Sequence, residues 1–290
     1  MVTRGDYVIY LLIAIFIILL GSFLYKGYQN TKSAAIHSIK LKNSSSNQPA
    51  LRVLHISDMH LEHISITPEQ LYADLKDEPI DLIALTGDYL DRKRTIPKLV
   101  PYLETLNRLK PAYGAYAVFG NHDYVLRGKH FEQLKAVLNN HGFQPMQNEH
   151  ICIEINGRRL NIIGIDDYST NRSDFKKSYQ HIKNGFNLVL THDPNIVLAM
   201  QDYHFDYLLS GHFHGGQIHW PKPYHFVKMG KLVRMNMVKG LHYYKGRPFY
   251  ISEGLGQTGV NIRIGSRPEI TLHELSLDTE ANRQNKTIAG

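Results

Sequence analysis

Two histidines separated by one residue stand where an apolar run stops and glycines begin, in Leu208-Leu209-Ser210-Gly211-His212-Phe213-His214-Gly215-Gly216-Gln217. Buried strands end this way when the next loop must bring metal ligands close to the backbone. Four more apolar runs end on ligand-type residues: Asp58-Met59-His60, Gly87-Asp88 continuing to Asp91, Gly120-Asn121-His122-Asp123 and Thr191-His192-Asp193-Pro194. Imidazole nitrogens with carboxylate and amide oxygens suit manganese, iron or zinc. Singly, each turn has a plainer explanation. Gly-Asp after a strand is commonly an Asx turn, and Gly-Asn-His-Asp would serve as a helix N-cap. Jointly, five turns along one edge of a parallel-type sheet point to a binuclear metal site, because ligand crevices form beyond the carboxyl ends of such strands.

The elements that must carry these turns are legible as short apolar runs alternating with helical patterns. Strands are expected at Leu51–Ser57, Ile80–Thr86, Ala115–Phe119, Phe186–Leu190 and Tyr207–Leu209, with helices near Pro68–Lys76, Ile96–Leu109 and Lys129–His141. Asn156-Gly157 between two alternating runs is a hairpin signal. Cys152, the single cysteine, falls in one of those runs and excludes an internal disulfide framework. The pattern is α/β in layers, with strands buried on both sides by helices, one domain and no internal repeat.

Ahead of that domain, Tyr7 to Tyr25 carries no charge. As a helix it would span roughly 28 Å, about the hydrocarbon thickness of a bilayer. Tyr7, Tyr10, Tyr25 and Tyr28 sit near its ends, as interfacial aromatics do. A cleaved signal peptide fits less well, since Asp6 weakens the leading region and no small-x-small site follows closely. The expected organisation is a flank at 1–6, a transmembrane anchor at 7–25, a polar linker at 26–49 ending in Asn43-Ser44-Ser45-Ser46-Asn47-Gln48-Pro49, a catalytic domain at 50–275 and a tail at 276–290. Arg4 precedes the anchor while Lys26, Lys32, Lys40 and Lys42 follow it, which leans the domain towards the cytoplasm.

The 33 basic and 26 acidic residues give a net charge of +7. From Tyr207 to Ser252 there are seven basic residues and no acidic one, so the whole excess lies there. Such a field draws anionic substrates or lipid headgroups. Between Ile218 and Gly240 the lysines are mixed with Trp220, Phe226, Val227, Met229, Leu232, Met235 and Met237, which reads either as core packing or as an interfacial lip. No nucleic-acid motif accompanies the charge, and none is expected as a partner. Gly254-Leu255-Gly256-Gln257-Thr258-Gly259 matches the dinucleotide fingerprint, but an alternating run and Pro268 follow where a helix is required, so it reads as a loop near the site rim.

In order, D-x-H, G-D, G-N-H-D, a lone histidine and G-H-x-H resemble the calcineurin-like metallophosphoesterase pattern, from Asp58 to His214. Leu208–Pro221 and Tyr250–Gly256 through Arg267-Pro268-Glu269-Ile270 resemble its membrane-associated bacterial branch, which includes UDP-2,3-diacylglucosamine pyrophosphatases. Phe213 departs from the threonine usual between the histidines, and Asn261 from a common proline. The resemblance implies a calcineurin-like β-sandwich flanked by helices, preceded here by one transmembrane helix. It implies two divalent ions (manganese, iron or zinc): one on Asp58, His60 and His214, the other on Asn121, His192 and His212, bridged by Asp88. His122 would stabilise the transition state and protonate the leaving oxygen, with Asp123 orienting it and Asp91 a weaker candidate. The implied activity is hydrolysis of a phosphodiester or pyrophosphate bond by metal-activated hydroxide, on a lipid- or nucleotide-linked substrate. A phosphomonoesterase and a non-catalytic metal-binding scaffold are the alternatives.

Overall fold

The computed structural model describes residues 4–41, 50–219 and 229–277. Asn43–Pro49 of the expected linker, the tail beyond Leu277, and Trp220, Lys222, His225, Phe226, Val227 and Lys228 of the basic segment lie outside the described residues.

The strands are β1 (Ala35–Lys40), β2 (Leu51–Ile56), β3 (Leu82–Thr86), β4 (Ala115–Val118), β5 (Phe143–Pro145), β6 (Glu149–Ile155), β7 (Arg158–Gly164), β8 (Phe186–Leu190), β9 (Tyr207–Ser210), β10 (Gly240–Tyr244), β11 (Arg247–Ile251) and β12 (Glu269–Leu275). They form two six-stranded sheets, ordered β1-β12-β2-β3-β4-β5 and β10-β11-β9-β8-β7-β6. β2 through β5 run parallel, as do β7, β8, β9 and β11. Parallel neighbours need helical crossovers, which supply the outer layers.

Three apolar layers result. Leu51, Val53, Leu82 and Val118 of the first sheet meet Leu160, Leu188, Leu190 and Leu209 of the second in the sandwich interior. The helices α2 (Pro68–Leu75), α3 (Ile96–Asn107) and α4 (Lys129–Asn140) cover the first sheet's outer face through Leu71, Leu99, Leu103, Leu134 and Leu138. α2 begins where its sequence says it should: Thr67 and Gln70 form a reciprocal capping box and Pro68 occupies the first turn. The short helices α5 (Phe175–Ser178) and α6 (Lys231–Arg234) lie in the loops of the second sheet, whose outer face is closed by Val197, Phe205, Phe213 and Leu232. The hairpin β6–β7 turns at Asn156-Gly157, and Cys152 is a free, exposed strand residue.

The N-terminal helix α1 (Arg4–Gln29) buries one residue, Gly27. Leu11, Phe16, Ile18 and Leu19 are all at least 60% exposed. The stretch expected to be a slack linker is partly folded: after a short 3-10 turn at Asn30–Lys32, β1 pairs in parallel with β12 over six residues. Its pattern of mostly exposed residues is that of an edge strand, which gives little hydrophobic signal in sequence. In the basic segment Leu232 is fully buried and Met229 and Met237 pack on the core, whereas Met235 is 44% exposed. Core packing thus accounts for most of its described apolar residues.

Candidate metal centre

The five ligand turns do not share one sheet. β2, β3 and β4 of the first sheet lead into Asp58 and His60, Asp88, and Asn121, while β8 and β9 of the second lead into His192 and into His212 with His214. Short runs buried on both faces look alike in sequence whichever sheet they join, so the pattern of apolar residues does not reveal the partition.

The turns meet at close range. His60 Nε2 lies 3.1 Å from His214 Nε2, and His214 Nε2 lies 3.3 Å from Asp58 Oδ1. On the other side His192 Nε2 lies 3.1 Å from His212 Nδ1. Asp88 sits between the two pairs, with Oδ2 3.0 Å from His192 Nε2 and 3.6 Å from His60 Nε2. Ligand atoms of Asp58, His60 and His214 lie within 4.8 Å of one another, as do those of Asp88, His192 and His212. Asn121 Oδ1 is buried beside His122 without a hydrogen-bond partner. An orphaned amide oxygen and two pairs of facing imidazole nitrogens around one carboxylate fit divalent cations, which supply what the lone pairs lack. Residues Asp58, His60 and His214 would hold one ion, Asn121, His192 and His212 the other, with Asp88 common to both.

The backbone is bent to aim these groups. Asp58, His60, Asp88, His212 and His214 all have positive φ, between 37° and 75°. Non-glycine residues adopt that conformation at a cost, and such residues collect at functional sites. Two glycines keep the approach open. A Cβ on Gly120 would collide with Asp88 Oδ1, and one on Gly211 with Asp58 Oδ2 and Ser57 Oγ. Asp58 is fixed further by the Ser57 hydroxyl, which donates to Oδ2 at 2.6 Å, and by the His212 N–H at 3.0 Å. His192 Nδ1 lies 2.8 Å from the Thr86 carbonyl, an arrangement that orients the ring and turns Nε2 inward.

Burial pushes the imidazoles of His212 and His214 down, helped by His192 for the first and by His60 and Arg263 for the second. Neutral imidazole is the ligand form. Burial also lowers His192, but Asp88 and Asp58 outweigh it and hold its pKa high. Burial raises Asp88, and His192, His60 and His122 reverse that and keep it low.

His122 points at the same space, its ring 4.8 Å from that of His60. Asp123 does not orient it. The Asp123 carboxylate is fully buried and accepts the backbone N–H groups of Asp88, Tyr89 and Gly120 at 2.8–2.9 Å, so it ties two ligand turns together. The carboxylate on His122 is Asp91, 2.6 Å from Nδ1. Burial lowers the His122 pKa, but Asp91 and Asp88 override it and raise it to about 9. Asp91's only sequence signal is its place one short turn beyond Asp88. Arg263, buried behind His214, has none: an arginine in an apolar alternation reads as surface. The glycine run Gly254–Gly259 forms neither helix nor strand, and its Leu255 and Gly256 N–H groups bond the carbonyls of Ser57 and Asp58.

Residues 51–216 match the model of the family described as Calcineurin-like phosphoesterase. The chain is 62% identical to the uncharacterized metallophosphoesterase YkoQ of Bacillus subtilis (strain 168), over 91% of this chain and 99% of that one. It is 26% identical to phosphodiesterase YaeI of Escherichia coli (strain K12), over 79% and 83%. It is 27% identical to the UDP-2,3-diacylglucosamine pyrophosphatase LpxG of Chlamydia trachomatis, over 77% and 82%. Ligand turns, fold and relatives agree, and the chain belongs to the calcineurin-like phosphoesterases, metal-dependent hydrolases of phosphoric esters.

Proposed function

We propose that this chain is a bilayer-anchored phosphoesterase with two divalent ions, cleaving a phosphodiester or pyrophosphate bond in a lipid- or nucleotide-linked substrate. The observation that carries this is the pair of facing histidine couples on either side of Asp88, with His122 alongside. When bound, two such ions supply positive charge for phosphoryl oxygens and lower the pKa of water. Asp88, between the two histidine pairs, would serve both ions, and Asn121 would add a neutral ligand that limits negative charge around the anionic substrate. His122, kept protonated by Asp91, gives its proton to the leaving oxygen and meets the charge that develops there. Only about a third of the His122 side chain is exposed, so the transferred proton comes from a ring largely screened from water.

Anchoring is supported by the length and exposed apolar surface of α1. The lysines after it favour a cytoplasmic domain. The two relatives named for UDP-2,3-diacylglucosamine and for phosphodiesters favour a diester or pyrophosphate over a monoester. Full-length protein in detergent with Mn2+ is to be assayed on an aryl phosphodiester, an aryl phosphomonoester and UDP-2,3-diacylglucosamine, beside His122→Ala. The reading expects faster diester or pyrophosphate cleavage and a loss of about 10²–10⁴-fold in the variant. Faster monoester cleavage would move it to phosphomonoesterase, and no turnover on any of the three with Mn2+ bound would favour a metal-binding scaffold.

A further inference from the structure

Gly27, the one buried residue of α1, sits where even a methyl group would be tightly packed. A Cβ there would lie 3.2 Å from Ile264 Cγ1 and 3.3 Å from Ile262 Cβ. The contact is also polar. The Gly27 carbonyl accepts the Arg263 N–H at 2.9 Å, and Asn30 Nδ2 donates to the Arg263 carbonyl at 2.9 Å. Thr31 and Ser65 hydroxyls meet at 2.8 Å, and Asn261 Nδ2 donates to Ser65 Oγ at 3.0 Å. The backbone of Arg263 is therefore clasped by the helix base.

Its side chain runs the other way and is fully buried. One guanidinium nitrogen donates to the His214 carbonyl at 2.9 Å and to that of Glu253 at 2.7 Å. The other donates to the carbonyls of Gly254 and Gly256. Leu255 and Gly256 in turn hold the carbonyls of Ser57 and Asp58 at 2.9 and 2.7 Å. A planar fork of donors fixes several carbonyls at once, which a flexible ammonium cannot do. Burial lowers the Arg263 pKa to about 10, against Glu253, Asp58 and Glu269, so it stays a cation at neutral pH.

We propose that α1 is a strut for the metal centre: its seat on Asn261–Ile264 sets Arg263, and Arg263 sets the loops of His214 and Asp58, so divalent-cation binding depends on the helix being seated. Arg263 is a positioning residue in this arrangement. The seat also fixes the attitude of the site relative to the helix, which suits a phosphoester whose own tail lies in the bilayer. The identity of the ions rests on the metallophosphoesterase reading; the mechanical link does not.

The test uses the full-length chain in detergent and three substitutions: Gly27→Leu and Asn30→Ala at the seat, and Gly21→Leu, where nothing lies within 4 Å. Mn2+ affinity is measured by calorimetry, and hydrogen exchange is followed at His212–Gln217. Weakening of Mn2+ binding by about 10–100-fold in the seat variants, as for other residues that support ligands, with faster exchange and an unchanged Gly21→Leu, is the expected result. Equal Mn2+ affinity and equal exchange in Asn30→Ala and the unaltered chain would overturn the proposal, and that milder variant decides if Gly27→Leu does not fold. Should the unaltered chain bind no Mn2+, the metal reading fails, and the exchange comparison alone decides the strut.

Discussion

The His122 ring rests on Asp91, whose Oδ1 lies 2.6 Å from Nδ1, while the neighbouring Asp123 turns away into the backbone. The pair sets a pH dependence. The His122 pKa is raised from 6.5 to about 9, so the protonated ring and its ion pair are fully present below 6.5 and lost as pH rises through about 9. In the metal-free protein the ring then titrates near pH 9, and an acid needed for catalysis gives kcat/KM of the loaded enzyme an alkaline limb. Asp91→Asn removes the stabilising charge, and the limb is expected to move towards 6.5 in a pH–rate profile.

Asp123→Asn probes structure, not proton transfer. The carboxylate is surrounded by backbone N–H donors, so an amide NH2 on one side would face donors and leave at least one N–H without an acceptor. Loss of stability of about 1–3 kcal/mol is expected, read as a lower midpoint in denaturant, with His122 still titrating high.

Gly211→Ala places a methyl group on Asp58 Oδ2 and Ser57 Oγ. The ion proposed for Asp58, His60 and His214 should be lost first, and metal analysis of the purified variant is expected to show fewer ions per chain than the unaltered protein.

Removing the ions should destabilise the domain. A ligand present at 100 times its Kd stabilises the folded state by about 2.7 kcal/mol, so chelation is expected to lower Tm, and Mn2+ to restore it. The gain should shrink as pH falls and protons compete for His192, whose pKa Asp88 and Asp58 hold high.

Cys152 is the single cysteine and is exposed on β6. With the domain in the cytoplasm, a membrane-impermeant maleimide should label it only after permeabilisation. Labelling in intact cells would reverse the orientation.

Much of this site is legible in the amino-acid sequence, for a physical reason. Asp58, Asp88, Asn121, His192 and His212 each follow a largely apolar strand, and it is the recurrence of ligand-type residues at five strand ends, not any one of them, that announces the site. What the chain does not announce are contacts made by backbone and by remote segments. Asp91 resembles any turn carboxylate, Asp123 acts through amides, and nothing local marks Arg263 as the support of a loop 49 residues earlier. The strand β1 is hidden because an exposed edge carries no hydrophobic alternation.

The pairing of β1 with β12 brings Ala35 beside Glu269, about four-fifths of the sequence apart. During synthesis the hydrophobic helix emerges before every described strand, and β12, which receives its continuation, emerges after all the other described strands. The growing polypeptide can insert into a bilayer early, but its first strand must wait for nearly the whole chain before it has a neighbour. Assembly therefore ends where it began, and a protein truncated before Glu269 would leave that opening segment unpaired, however well the intervening layers had folded.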